Sequence, residues 1–417
     1  MTQTFQPGAF ATEGGAVIPD LRVAYRTWGR LDTDGANAVV VCHALTGDAD
    51  AAAWWPGLVG EGRLADPERH FIVCANALGS CYGTTGPGTL RDGQRLGSRF
   101  PAVTVRDQAR LHAALLRHLG VREVALAAGG SMGGMQALEL ALVGALGEAE
   151  APPVRRLLLV GMGAAHGAWQ VGISEAQRLA IRADPKWQGG DFPAGDPPVA
   201  GLAAARAAAM MTYRSPALFA ERFGRARQSR EDGAAPSTPR PAEDRPPASA
   251  LAQTVPLSKG DSGPLSERSD GAERGGSAPP ADTLRQPLAA PPDETPGGLF
   301  AVESYLRYQG QKLAGRFDAG AYVALTHAMD AHDADRGRAG DPLSALDADA
   351  LCVGISSDVL YPPEESRALA DRLPRGRYAE LDSPFGHDAF LVDFAGLDRL
   401  ARPFLTDTGF FTHAHAR

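Results

Sequence analysis

Cysteine is scarce in this chain, four residues in 417. Cys42, Cys74, Cys81 and Cys352 show no CxxC spacing, which argues against a disulfide framework and against a thiolate metal site. Three of the four fall in apolar, strand-like runs where free thiols are commonly buried, so all four read as reduced. Basic charge is also in short supply. Against 49 Asp and Glu stand 41 Lys and Arg, a formal net charge of −8, and a nucleic acid or an anionic membrane surface needs a basic face that this balance does not provide. No apolar run is long enough to cross a bilayer. Met1 to Phe10 has neither the basic start nor the apolar stretch of a secretory signal, so the expected location is cytoplasmic.

The chain is longer than a typical single domain, which leaves one large core with an inserted subdomain, or two domains. Short β-branched runs at Val39–Cys42, Phe71–Cys74, Val124–Ala128, Leu157–Val160 and Leu351–Ile355 read as strands buried on both faces. They alternate with helical patterns, which predicts an α/β architecture with a mostly parallel sheet flanked by helices. Between Ala165 and Asp330 the strand pattern stops and helical stretches such as Gly201–Thr212 and Ser304–Leu313 replace it. The expected division is a core over residues 1–165, an inserted helical lid over 166–330, and the rest of the core over 331–417. Inside the lid, residues 227–298 are crowded with Pro, Ala, Ser and charge and hold few aromatics, the composition of a disordered surface insertion. His413 and His415 at the C-terminus suggest a metal pair less than they suggest a frayed tail.

The strongest chemical signal is Gly129-Gly130-Ser131-Met132-Gly133-Gly134, a G-x-S-x-G pattern with a strand before it and a helical pattern after it. A serine at such an elbow needs small neighbours because the turn is tight, and the turn lifts Oγ clear of the sheet beside a helix N-terminus. A serine hydroxyl attacks only when a base takes its proton, so an acid and then a histidine are expected further along. Asp358 follows the strand Leu351–Ile355, and His387 follows the strand Arg377–Leu381; both lie on loops beyond a strand's C-terminal end. Asp382 is the rival acid, but it shares a loop with His387 and has to fold back to reach it. His43, His112, His118, His327 and His332 read as packed or surface residues, His43 as a shaper of its loop. The N–H of Met132 supplies one oxyanion donor, and the loop His43–Gly47 is placed to supply the second from Leu45.

Together with the elbow, the segments Cys42–Gly47, Gly79–Pro87, Phe100-Pro101 through Arg106-Asp107, Gly129–Gln136, Glu303–Leu306, Arg316–Asp318 and Gly386–Leu391 resemble the homoserine O-acetyltransferase family. The resemblance spans nearly the whole chain apart from the Pro-rich tract. It implies the α/β-hydrolase fold and transfer of acetyl from acetyl-CoA to the side-chain hydroxyl of L-homoserine, a step of methionine biosynthesis. Acetyl-CoA is then a co-substrate, no further cofactor or metal is implied, and a homodimer is expected. The resemblance also assigns Arg206, Tyr213 and Asp388 to the acceptor. Such a set is chemically apt, because a guanidinium grips a carboxylate and a carboxylate pairs an ammonium. Succinyl-transferring relatives carry arginine two positions beyond the catalytic aspartate; here Leu360 stands there, which favours the neutral acetyl group. Serine as acceptor, succinyl as the transferred group, plain esterase or thioesterase activity, and a non-catalytic binding module remain the competing expectations.

Overall fold

The computed structural model describes residues 1–227 and 298–411. Residues 228–297 of the Pro-rich tract, with His413 and His415, lie outside the described residues. Arg227 Nη1 donates to Gly298 O at 2.6 Å, so the two described flanks of the tract meet.

Eight strands form one sheet in the order β1-β2-β4-β3-β7-β8-β9-β10. β1 (Gln3–Ala11), β2 (Val17–Trp28) and β4 (Phe71–Ala75) pair antiparallel. From β4 onward, β3 (Ala38–Cys42), β7 (Val124–Gly130), β8 (Arg156–Val160), β9 (Asp349–Ile355) and β10 (Gly376–Leu381) are all parallel. β5 (Leu90–Arg91) and β6 (Gln94–Arg95) make a separate small hairpin. The α/β expectation therefore holds, and the sequence reading missed the β1–β2 pair at one edge.

The inner parallel strands are largely apolar because they separate two cores, whereas β10 at the edge is mixed and only partly buried. On β3, Val40 and Cys42 enter one cluster and Val39 and Val41 the other. The first core is closed by α2 (Val105–His118) and α3 (Met132–Ala145). Thr104 and Asp107 fix the start of α2 as a reciprocal capping box. The second core is built from Trp55, Phe390 and the apolar face of α10 (Phe394–Asp407). Glu139, buried midway along α3, takes Arg338 at 2.8 Å and has Arg106 at 3.4 Å, which holds α3 in place behind the serine.

Between β8 and β9 the chain makes α4 (Ala168–Arg182), α5 (Val199–Tyr213), α6 (Pro216–Phe223), α7 (Ala301–Ala314) and α8 (Ala319–Asp330). α5 packs between α4 and α7. Its alanines permit a very close approach: a Cβ on Gly310 of α7 would stand 2.5 Å from Ala203 O. Arg178 of α4 reaches Asp330 at the end of α8, 2.6 Å away. No helix among the described residues is long and apolar enough to cross a membrane.

Candidate active site

β7 carries the chain up to Ser131, which caps α3 with φ 56° and ψ −130°. A side chain held at positive φ is strained by roughly 1–3 kcal/mol. The turn is held there by the hydrogen bond from Ser131 N–H to Val160 O, 2.9 Å, and by the absence of side chains around it. A Cβ would come within 2.2 Å of Gly133 C at Gly129, 2.5 Å of the Phe390 ring at Gly130, and 2.2 Å of Cys42 O at Gly133. The small residues of the motif are thus demanded by packing on three sides.

His387 lies in a short turn, Gly386–Leu391, that follows β10. Its Nδ1 is 2.6 Å from Asp358 Oδ2. The other oxygen of Asp358 accepts the N–H groups of Leu360 at 2.8 Å and Tyr361 at 2.9 Å. Gly161, at φ 59°, follows the Val160 that holds Ser131, and a Cβ there would stand 3.3 Å from His387 Cε1 and 3.4 Å from Asp358 Oδ2. The elbow and the acid–imidazole pair therefore meet at the same end of β8. His387 Nε2 is buried with no hydrogen-bond partner among the described residues, so its bond to Ser131 Oγ is not made in this state; such bonds commonly tighten only around substrate. Burial depresses the imidazole's pKa, but the charge and hydrogen bond of Asp358, with the charge of Asp388 added, outweigh it and leave it above the ordinary 6.5. Asp382 is exposed and accepts from Ser356 Oγ at 3.2 Å, away from the histidine.

Met132 opens α3, so its N–H belongs to the first turn, where helix donors have no internal acceptor. Leu45 is buried on the loop that follows β3, and the start of that loop abuts the first turn of α3, since a Cβ on Gly133 would stand 3.2 Å from His43 C. His43 shapes that loop: Nδ1 is 2.8 Å from Ala44 O and Nε2 accepts from Ala77 N–H at 2.9 Å. Gln136 of α3 donates to His43 O at 3.1 Å, and Arg316 from the helical insertion donates to Thr46 O at 3.0 Å.

Of the three residues assigned to the acceptor, Tyr213 and Asp388 lie beside the imidazole and Arg206 lies against Tyr213. The Tyr213 ring centroid is 5.9 Å from that of His387, and the Arg206 guanidinium carbon is 5.1 Å from the Tyr213 ring centre. Burial raises the Tyr213 hydroxyl's pKa, with Arg206 pulling it down and Asp388 pushing it up, so both charges act on one phenol. Asp388 pairs with Arg214 at 3.1 Å. Leu360 is buried, and Gln170 Nε2 donates to its carbonyl at 2.8 Å.

A sequence profile for the alpha/beta hydrolase fold matches residues 37–394. A homoserine O-acetyltransferase of Salinibacter ruber is 42% identical over 96% of this chain and 96% of its own length. The homoserine O-acetyltransferase of Trichormus variabilis is 41% identical over 94% of this chain and 90% of its own. The chain belongs to the homoserine O-acetyltransferase family. Among solved structures, a homoserine O-acetyltransferase from Bacillus anthracis superposes with a TM-score of 0.75 at 21% identity, covering 97% of both chains. An esterase, E22, superposes with 0.74 at 21% identity, covering 97% of this chain and 99% of that one. At such identities these two speak for the fold alone, and the fold is shared by transferases and hydrolases.

Sequence reasoning passed over four residues that shape the site of this homoserine O-acetyltransferase family member. Tyr361 holds Asp358 by its N–H, lays its ring 5.2 Å from that of His387, and places its hydroxyl 2.6 Å from His166 Nδ1. The local signal was available, since an aspartate taking N–H groups two and three residues on is a common turn. Gly161 stood just past a strand, where a missing side chain often means a close approach. Arg316 lay inside a matched segment without an assigned task. Arg214 had no local signal, because its partner Asp388 is remote in the chain.

Proposed function

We propose that the chain is a homoserine O-acetyltransferase working through an acetyl-Ser131 intermediate. His387 Nε2 takes the Ser131 proton as Oγ attacks the thioester carbon of acetyl-CoA. The oxyanion is met by the N–H groups of Leu45 and Met132, and collapse expels the CoA sulfur, which receives the proton from His387. L-homoserine then binds with its carboxylate toward Arg206 and Tyr213 and its ammonium toward Asp388. His387 takes its hydroxyl proton, the oxygen attacks the acetyl carbon, and O-acetyl-L-homoserine leaves as Ser131 regains a proton. Asp358 keeps Nδ1 protonated and offsets the imidazolium charge in both halves.

The observation that carries the reading is the placement of Arg206 and Asp388 around Tyr213, beside the imidazole. A hydrolase needs no cation and anion around its acceptor's place, whereas an amino-acid acceptor does. Leu360 supports acetyl over succinyl, since it offers no cation for a distal carboxylate. On the same reading the enzyme is cytoplasmic, needs no resident cofactor and acts as a homodimer, which sedimentation tests.

The deciding experiment incubates the enzyme with acetyl-CoA, succinyl-CoA, homoserine and serine in competition and identifies products by mass spectrometry. The expected product is O-acetylhomoserine, with an acetyl group on the Ser131 peptide when acceptor is withheld. Free acetate that homoserine fails to divert would mark an esterase instead.

A further inference from the structure

The two charges of the acceptor clamp are not in the same state. Arg206 stands over the Tyr213 ring with no carboxylate partner among the described residues. Asp388 already has a cation: Arg214 Nη2 is 3.1 Å from its Oδ2, the two side chains only 12% and 17% exposed.

Arg214 is held where it is by its backbone. It ends α5 in an extended conformation, and the next residue, Ser215, caps α6 through Leu218 N–H while donating to Pro384 O at 2.6 Å. Gly386, at φ 65°, lies so close that a Cβ would be 2.7 Å from Arg214 C. The stretch bearing Arg214 is therefore fastened to the loop that bears His387 and Asp388. The guanidinium itself is poorly satisfied. Its Nε and Nη1 are buried without an acceptor among the described residues. A tie made for stability favours two parallel hydrogen bonds and satisfied donors, because a buried cation with orphaned N–H groups costs more than it returns. A single 3.1 Å contact is the arrangement of a partner that can be displaced.

We propose that Arg214 is a resident counter-ion of Asp388, which neutralises that carboxylate while the acceptor's place is empty and shares it with the acceptor's ammonium when one binds. The inference rests on the functional reading above and deepens it. In the donor half of the reaction Arg214 limits how far Asp388 stabilises the imidazolium, so His387 remains a usable base. In the acceptor half an incoming ammonium must compete for Asp388, which makes Arg214 a determinant of how strongly a cationic acceptor is preferred. Arg214 is a positioning residue, acting through Asp388. The other groups facing His387 are fixed: Asp358 at Nδ1, the Tyr361 and Tyr213 rings at 5.2 and 5.9 Å, and Arg206 beyond Tyr213.

Two readouts on Arg214→Gln, Arg214→Lys, Asp388→Asn and the double variant Arg214→Gln/Asp388→Asn test this. The first is the pH dependence of Ser131 acetylation by 4-nitrophenyl acetate, which involves no amino-acid acceptor and so stands even if the acceptor is misassigned. In Arg214→Gln the midpoint is expected to rise by roughly 0.5–1 pH unit, because one unscreened carboxylate then faces the imidazole. It stays near the parent value in Arg214→Lys and returns toward it in the double variant. The second is the ratio of kcat/KM for homoserine over 4-hydroxybutanoate, which lacks the amine; it is expected to rise about three- to tenfold in Arg214→Gln and to fall in Asp388→Asn. An unmoved midpoint in an Arg214→Gln protein that melts like its parent overturns the proposal, as does the same shift appearing in the Asp388→Asn background. Failure of the parent enzyme to acetylate homoserine sinks the functional reading separately.

Discussion

Asp358 divides its two oxygens between His387 and its own loop. Oδ2 lies 2.6 Å from His387 Nδ1 while Oδ1 takes the N–H groups of Leu360 and Tyr361. The carboxylate cannot rotate away from the imidazole without abandoning two backbone hydrogen bonds, so the ring's tautomer and orientation are fixed together.

Asp358→Asn is expected to lower kcat by roughly 10³- to 10⁴-fold, because an amide favours the wrong imidazole tautomer while leaving the packing intact. Asp382→Asn, at an exposed residue bonded to Ser356, is expected to leave kcat nearly unchanged. Steady-state rates of the two variants side by side check this; a large loss in Asp382→Asn with little in Asp358→Asn would move the acid to Asp382.

The pH profile follows from the sign of the shift at His387. The imidazole must be neutral to take the serine proton, and its pKa stands above the ordinary 6.5. Acylation is therefore expected to rise with pH through a single limb whose midpoint is higher than 6.5, and pre-steady-state acetylation across pH 5.5 to 8.5 measures it. A midpoint below 6.5 would mean that burial outweighs Asp358.

Ser131 sits at φ 56°, a backbone state that glycine adopts freely and an L side chain only under strain. Ser131→Gly is expected to abolish acylation yet to stabilise the fold by about 1 kcal/mol, while Ser131→Ala abolishes acylation with little gain in stability. Chemical denaturation of the two variants distinguishes them, and equal stabilities would show that the elbow is relaxed.

Buried histidines, His43 among them, make the fold sensitive to acid. Burial lowers the pKa of His70, His112 and His166 to about 4 and of His332 to about 3. In the unfolded chain these groups take protons near 6.5, so the stability they contribute is complete above that pH and is lost as pH falls from 6.5 toward 4, at about 1.4 kcal/mol per pH unit for each proton. Asp107 and Glu139, whose pKa values burial raises, offset part of the loss. Neither ring nitrogen of His112 has a hydrogen-bond partner among the described residues, so His112→Leu is expected to reduce the slope by about one proton in urea titrations between pH 6.5 and 4.5.

The parallel half of the sheet was legible because strands buried on both faces are written as unbroken apolar runs; Ala38–Cys42 and Asp349–Ile355 differ from their sequence readings only at one end. β1 and β2 were not, and the reason is physical. Their register shifts between Phe5 and Gly8 and again between Gly8 and Phe10, which breaks the alternation that marks a half-exposed strand. Order and context point to Ser131, Asp358 and His387 as candidates, and the structure sets each of them past a strand end, with Asp358 against His387. Neither points to Arg214, because a pairing between remote charges leaves no trace in the neighbourhood of either.

The contact between Arg227 and Gly298 carries a further consequence. Where a chain departs and rejoins through adjoining residues, the entropy of closing the excursion grows only with the logarithm of its length, about 0.6 kcal/mol for each doubling. A tie between residues 71 positions apart in the chain, as between Arg227 and Gly298, therefore costs little more entropy to close than one between residues half as distant.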